Sequence, residues 1–390
     1  MKRLQGESRR VVVAMSGGVD SSTVAGLLVE AGHDVVGVMM KLYDREEDRS
    51  EATDGDAGTP GQCCSLDDVA DARRVAEHLG IPFYVGNYRK AFDRGVIQPF
   101  VDAYADGQTP NPCVRCNDTV KFRPLLARAR ALGADYLATG HYVRTELEPD
   151  GRVTLWQGRD VAKDQSYFVA GIPAEALDQV VFPLGSFTKV EVRDHATRMG
   201  LPVADKAESQ DICFIPDGDY ASFLERRDPE RFGRGGAIVS LDGLTLGRHR
   251  GVHRFTIGQR RGLGLAGPEP RYVVALDPAS DTVVVGSREA AQSHGVRATR
   301  ARWHGTPPPD GAEVVARIRY RHRGVSGWVT HDPGGAIEVR FREPVSAVTP
   351  GQQLVLYDGE RVLAAATIEG SIAADGPGGP AHDDPAGAHA

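Results

Sequence analysis

No stretch of this 390-residue chain is a continuous apolar run approaching the ~18 residues that a membrane span needs. Its start, MKRLQGESRR, is basic but lacks the apolar centre of a secretory signal, so the expectation is a cytoplasmic protein with no membrane partner. Cysteine is scarce. There are five, an odd number in a large chain without an export signal, which argues against a disulfide scaffold and for thiol chemistry or metal binding. A second C-x-x-C is missing, which disfavours a closed four-ligand zinc site. Surplus positive charge is missing too: 46 Lys and Arg stand against 53 Asp and Glu, a net charge of −7. The sum alone gives no hint of a nucleic-acid partner, although an acidic chain can carry a basic face. No internal repeat is visible, and length suggests two or three domains at roughly 150 residues each.

What is present divides the chain in two. Up to about residue 145 strand and helix patterns alternate, as in a parallel α/β domain. Val11 to Ala14 reads as a buried strand, Ser21 to Ala31 as a helix and Val35 to Met39 as the next strand. Residues 44–62 are polar and Gly-rich and read as a mobile insertion. Ser65 reads as a helix N-cap, followed by Leu66, Val69, Ala72, Ala76 and Leu79 on one helical face. IPFYVG is a strand, Ala91 to Tyr104 and Lys121 to Leu132 are helices, and ADYLATGH is a strand running into a loop. TPNPCVRCN, with two prolines in four residues, is expected to be irregular. Short helices and loops fill 151–226. Beyond Arg234, RYVVALD, DTVVVG, AIEVRF and QQLVLYDG read as short strands of one or two small β domains or barrels. The expected units are 1–226, 227–290 and 291–372, with 373–390 a disordered low-complexity tail.

The most informative segment follows the first strand. SGGVDSS, from Ser16, is a Gly/Ser loop opening a helix, and such a loop turns backbone N–H groups outward to seat an anion. Gly17 and Gly18 allow close approach, Ser16, Ser21 and Ser22 can donate to phosphate oxygens, and Asp20 is a candidate Mg²⁺ holder. The chain lacks G-x-x-x-x-G-K-S/T, so this is not a Walker loop. A tight turn with glycines kept for packing is the competing reading.

The loop resembles that of the PP-loop ATP pyrophosphatase superfamily, which splits ATP to AMP and pyrophosphate. AMSGGVDSS, TPNPCVRCN, ATGHY, KDQSYF, SQDICF, TIGQRRGLG, RYRH and VTPGQ, in this order, narrow the resemblance to the tRNA-specific 2-thiouridylase family. That resemblance implies an adenine nucleotide alpha hydrolase-like parallel-sheet domain followed by small β-rich domains ending in a β-barrel. It implies 2-thiolation of the wobble uridine of tRNA, with ATP and Mg²⁺ as cofactors and a protein sulfur donor, either a persulfide relay or a cysteine desulfurase system. ATP would be held by Ala14, Met15, Ser16, Gly17, Gly18, Val19, Asp20, Ser21, Met40 and Gly140. The tRNA would be contacted by Asn111, Pro112, Cys113, His141, Lys163, Asp164, Gln165, Arg319, Tyr320 and Gln352. The position of Cys213 carries the persulfide in the family, and that of Cys116 is its partner nucleophile, able to form a transient Cys116–Cys213 disulfide.

The residues leave alternatives open. Arg115 beside Cys116 would favour the thiolate. Cys113 stands where many family members have an aspartate given acid-base work, and a thiol with an unperturbed pKa near ~8.5 is a different acid. Cys113, Cys116 and Cys213 could instead hold an iron–sulfur cluster. Cys63 and Cys64 read as small hydrophobes. Three basic runs, 248–262, 297–304 and 317–323, carry aromatic or imidazole neighbours and suggest an RNA backbone footprint. In the last, strand alternation would set Arg317, Arg319, Arg321 and Arg323 on one face. Two further classes compete: a PP-loop amidating ligase for a small molecule, and a non-catalytic ATP-sensing or RNA-binding protein.

Overall fold

The structure, a computed structural model, describes residues 2–4, 6–43, 66–208, 212–215 and 217–374. The 44–62 insertion, Cys63, Cys64, Ser65 and all but the start of the 373–390 tail lie outside these. No described helix is long and apolar enough to cross a membrane.

The first sheet holds β1 (Arg10–Met15), β2 (Asp34–Lys41), β3 (Phe83–Asn87), β4 (Tyr136–Ala138) and β7 (Val180–Val181), all parallel, in the order β3-β2-β1-β4-β7. β1 and β2 are apolar at almost every position because helices cover both faces of the sheet. The helix Leu66–Leu79 departs from its expected face. Leu66 is exposed, whereas Asp68 and Asp71 are buried with Ala72 and Ala76. Both carboxylates face inward because the Lys206 ammonium meets them there.

TPNPCVRCN is irregular only over Thr109, Pro110 and Asn111. Pro112–Cys116 is helical and runs through a π-type turn, Asn117–Lys121, into the helix Phe122–Ala131. Pro112 sits in the first turn, where its missing N–H has no partner to lose, and Asn111 caps the helix. A hairpin was also missed within 143–157: β5 (Val143–Leu147) and β6 (Val153–Gln157).

A four-stranded sheet, β10-β11-β8-β9, forms the central unit from β8 (Gly236–Ser240), β9 (Thr245–His249), β10 (Tyr272–Asp277) and β11 (Thr282–Gly286). The C-terminal strands are β12 (Gln292–Trp303), β13 (Ala312–Arg317), β14 (Val325–His331), β15 (Ile337–Ser346), β16 (Gln353–Asp358) and β17 (Arg361–Ile372). They run in the order β12-β15-β14-β13-β16-β17, and pairing of β12 with β17 closes the barrel. The same sheet continues from β17 through β6 to β5, so it crosses into the N-terminal region. Val355, Tyr357, Val362 and Ala365 of the barrel share one apolar core with Leu155 and Tyr167. The RIRYRHR alternation is corrected: β13 ends at Arg317, and residues 318–321 form a bend and turn. Arg319, Arg321 and Arg323 remain exposed, whereas Arg317 turns inward to pair with Asp164 at 3.0 Å.

Candidate functional site: an anion loop, three thiols and a barrel joint

β1 delivers the chain into the Gly/Ser loop, and the helix Val19–Glu30 leaves it. Gly18 is the N-cap and offers no side-chain acceptor, so the loop end of the helix is not closed by a side-chain cap. The Ser22 hydroxyl donates back to the Gly18 carbonyl at 2.8 Å, and the Ser16 N–H donates to Ser21 Oγ at 3.1 Å. Gly17 has φ +73°, and a Cβ there would lie 2.4 Å from the Asp68 carbonyl oxygen. Only glycine fits both demands. Gly140 is confined as well, though less tightly: a Cβ there would lie 3.0 Å from the Ser21 nitrogen. Ala14 and Met15 end β1, Val19 is buried at the helix start, and Met40 is buried near the end of the adjacent β2. The structure therefore gathers the expected nucleotide residues around one loop.

Asp20 is not a vacant carboxylate. Lys189 Nζ donates to both of its oxygens at 2.7 and 2.9 Å, and the Tyr142 hydroxyl donates at 2.7 Å. The same lysine reaches Glu208 at 2.9 Å, and Glu208 meets Lys163 at 2.6 Å. On the other side of the loop, Lys206 donates to the Gly17 carbonyl at 3.1 Å while neutralising Asp68 and Asp71. Lys189, Glu208, Lys206 and Tyr142 were not anticipated. T-x-x-E at Thr188–Glu191 signals the helix start beside Lys189, and the observed capping box agrees, but nothing local says whom its ammonium meets. Among the described residues no group of three or more His, Cys, Asp and Glu side chains is placed to hold a metal ion. Among the described residues, Asp20 is already engaged by Lys189 and Tyr142, and Cys113, Cys116 and Cys213 are not gathered into one such group.

The cysteines among the described residues are Cys113, Cys116 and Cys213. The Asn111 side chain accepts from the N–H groups of Cys113 and Val114 at 3.1 and 3.2 Å, which sets Cys113 exposed and Cys116 buried on one short helix. Arg115 directs its Nε at the Gly95 carbonyl 2.6 Å away, so its guanidinium is shared with the backbone. Cys213 is half-buried and packs against the apolar core that contains Cys116. Its neighbour Phe214 fixes this placement. The Phe214 ring is 3 % exposed and lies 5.7, 5.4 and 5.3 Å from Phe92, Phe100 and Phe223.

The residues expected at tRNA sort into two groups. Some hold the barrel. Asp164 is 5 % exposed and accepts from Gly158 N–H, Ser166 N–H and Arg317. Gln165 accepts from Tyr142 N–H at 2.9 Å, and Gln352 donates to the Thr109 carbonyl at 2.7 Å, just ahead of Asn111 and Pro112. Others lie nearer solvent: Lys163 is half-buried, Arg319 is exposed, and Tyr320 is half-buried with its ring 4.4 Å from Phe168. His141 packs with the rings of Phe122 and Phe182 in a three-ring cluster, and burial with Lys121 nearby pulls its pKa down to about 3, so the imidazole is neutral. The basic runs are partly neutralised. Arg297 is caged by Asp332, Glu338 and Glu369, Arg302 pairs with Asp118, and Arg254 with Glu225. Arg248, Arg250, Arg260 and Arg261 are exposed, with no ion pair among the described residues.

Comparison with known proteins follows the same division of the chain. Residues 9–217 match the family described as "tRNA methyl transferase HUP domain", 221–287 the "tRNA methyl transferase PRC-barrel domain" and 293–368 the "Aminomethyltransferase beta-barrel domain". The tRNA-specific 2-thiouridylase MnmA of Geobacter metallireducens is 51 % identical over 93 % of this chain and 98 % of its own length. The namesake proteins of Geotalea uraniireducens and Magnetococcus marinus are 50 % and 47 % identical, over 93 % and 92 % of this chain and 96 % and 98 % of theirs. With matches of this identity over nearly its whole length, and three domain families matched in order, the chain belongs to the tRNA-specific 2-thiouridylase family.

Proposed function

We propose that this protein is an ATP-dependent tRNA-uridine 2-sulfurtransferase acting on the wobble uridine. The observation that carries the reading is that Cys116 lies in, and Cys213, about 97 positions on, packs against, an apolar core shared with the domain that bears the Gly/Ser loop. Carbon 2 of uridine is a poor electrophile until its oxygen becomes a leaving group. ATP, arriving with its own Mg²⁺, supplies that change: the carbon-2 oxygen attacks the α-phosphorus and pyrophosphate leaves. A terminal sulfur on Cys213, delivered by a protein persulfide donor, then attacks carbon 2, and AMP departs with the original oxygen. The Cys116 thiolate attacks Cys213 Sγ and breaks the S–S bond. The transferred sulfur stays on the base, and a Cys116–Cys213 disulfide forms that an external thiol reductant must reopen by two electrons. Holding activated base and sulfur in one site is the main service of the fold. Cys113, exposed one helical turn from Cys116, stands where a proton can be exchanged with solvent. The half-buried Tyr320 offers a stacking surface for a base.

Single turnover with ATP and tRNA tests the reading. Wild-type protein should yield AMP and thiolated tRNA, and mass spectrometry without reductant should find the Cys116–Cys213 disulfide. Cys213→Ser should still form AMP but no thiolated tRNA. Normal thiolation by Cys213→Ser and by Cys116→Ser would overturn the persulfide route.

A further inference from the structure

Lys206 lies against the Gly/Ser loop, and its ammonium has three partners there. It donates to the Gly17 carbonyl at 3.1 Å, to Asp68 at 2.7 Å and to Asp71. Three partners match the three donors of an ammonium, so none is left for a ligand. The backbone around Lys206 is fixed as well. Arg193, on the helix Lys189–Arg198, donates to the carbonyls of Ala204 and Lys206 at 2.9 and 3.2 Å. Both carboxylates come from the helix Leu66–Leu79, and Asp71 is shared with Arg74. Asp68 meets the loop twice, through Lys206 and through the backbone that leaves no room for a Cβ at Gly17.

The reaction outlined above does not use Lys206, yet its bond to Gly17 decides where a loop donor points. A peptide unit is planar and trans, so its C=O and N–H face opposite ways. With the Gly17 carbonyl turned onto Lys206, the Gly18 N–H is turned away from it. The Ser16 N–H is taken by Ser21 Oγ, whereas the Gly18 N–H donates to no acceptor among the described residues. Glycine has wide conformational freedom, so at Gly17, with φ +73°, the residue itself does not hold the peptide in this orientation. We propose that Lys206 is a positioning residue for ATP activation: resting on Asp68 and Asp71, it holds the Gly17 carbonyl so that the Gly18 N–H is aimed at the phosphate oxygens on which charge grows as pyrophosphate leaves, an inference that rests on the ATP-binding reading of the loop. Lys206 itself touches no phosphate. A donor set before charge develops acts more on the transition state than on bound ATP, so the effect falls on rate rather than on affinity.

The test is single-turnover AMP formation with tRNA at saturating Mg-ATP, beside equilibrium dialysis of labelled ATP, both on the full-length protein. Lys206→Met alone strands Asp68 without its ammonium, a loss that endangers the fold itself. The deciding variant is therefore Lys206→Met with Asp68→Asn, which removes one charge of each sign and leaves Asp71 with Arg74. Its AMP rate should fall about 100-fold, the scale of a misplacement on the order of 1 Å. Its ATP dissociation constant should change by less than about threefold. Lys206→Arg keeps every charge paired but offers a planar fork in place of a point donor, and should lose about tenfold, again in rate alone. It decides the matter if the double variant does not fold. A wild-type AMP rate in either variant, with folding checked by circular dichroism, would make Lys206 a counter-ion only and overturn the proposal, as would a loss carried wholly by ATP affinity. If the wild-type protein binds no ATP or forms no AMP, the loop reading itself fails and the proposal falls with it.

Discussion

Phe214 is the most direct handle on how Cys213 is placed. Removing a buried phenyl ring costs about 3–5 kcal/mol in general. Here the ring is 3 % exposed and has aromatic partners at 5.3, 5.4 and 5.7 Å, each such pair adding ~0.5–1.5 kcal/mol to area burial. The three partners belong to the helical segments Arg89–Phe92, Gln98–Ala105 and Tyr220–Arg227, each with contacts of its own. The loss in Phe214→Ala should therefore fall mainly on docking of the Cys213 segment. If about 3 kcal/mol is lost locally, the undocked population rises roughly 100-fold, at tenfold per ~1.4 kcal/mol. The assay is alkylation of Cys213 against Cys113, alongside single-turnover thiolation and ATP binding. Phe214→Ala should accelerate alkylation of Cys213 alone by about two decades, depress thiolation in step and leave ATP affinity unchanged. Phe214→Leu, which keeps most of the apolar volume, should lie between. An unchanged Cys213 rate in a folded Phe214→Ala protein would refute the anchoring argument.

Gly17→Ala must adopt φ +73° and bring a Cβ to 2.4 Å from the Asp68 carbonyl; it should abolish ATP-dependent AMP formation, scored by chromatography. Arg260→Ala with Arg261→Ala should weaken tRNA binding and lower the log–log salt slope by roughly 0.7–0.9 for each phosphate that is no longer neutralised, measured by filter binding at several salt concentrations. His141 is held neutral, with its pKa pulled from 6.5 to about 3. Below pH 6.5 the unfolded chain takes up a proton there that the folded protein refuses until about pH 3, so this contribution is present above 6.5 and is lost as pH falls through that window. Urea midpoints of His141→Gln should accordingly depend less steeply on pH across it than those of wild type.

The legible part of the molecule was whatever local pattern specifies. SGGVDSS after a β-branched strand identified the loop, and the apolar runs at Val11 and Val35 found the central strands. Proline misled at Pro112, because its position in the first turn, rather than its presence, decides whether a helix can begin. The Arg317–Arg323 alternation misled because period two is necessary for a strand but does not make one. The least legible residues were those whose meaning is a distant partner. Lys189 lies 169 positions from Asp20, and Arg317 lies 153 from Asp164. Buried aspartates at positions 68 and 71 look like a solvated helix face until Lys206 arrives from 138 and 135 positions away.

The shared core between the N-terminal region and the barrel has a consequence for synthesis. Leu155 and Tyr167 complete their packing only with Val355, Tyr357, Val362 and Ala365. The Tyr167 hydroxyl waits for the Gln353 carbonyl, and Asp164 for Arg317. At ~5–20 residues per second, a ribosome needs roughly 10–40 s after making the 153–157 strand before the strand it pairs with emerges. From the synthesis of Cys213 onward the nascent chain carries the Gly/Ser loop and both thiols without the barrel contacts to Thr109 and Asp118 on either side of the helix bearing Cys116. The joint between barrel and N-terminal region is thus complete only when nearly the last strand has been made, and a truncated translation product is left without it.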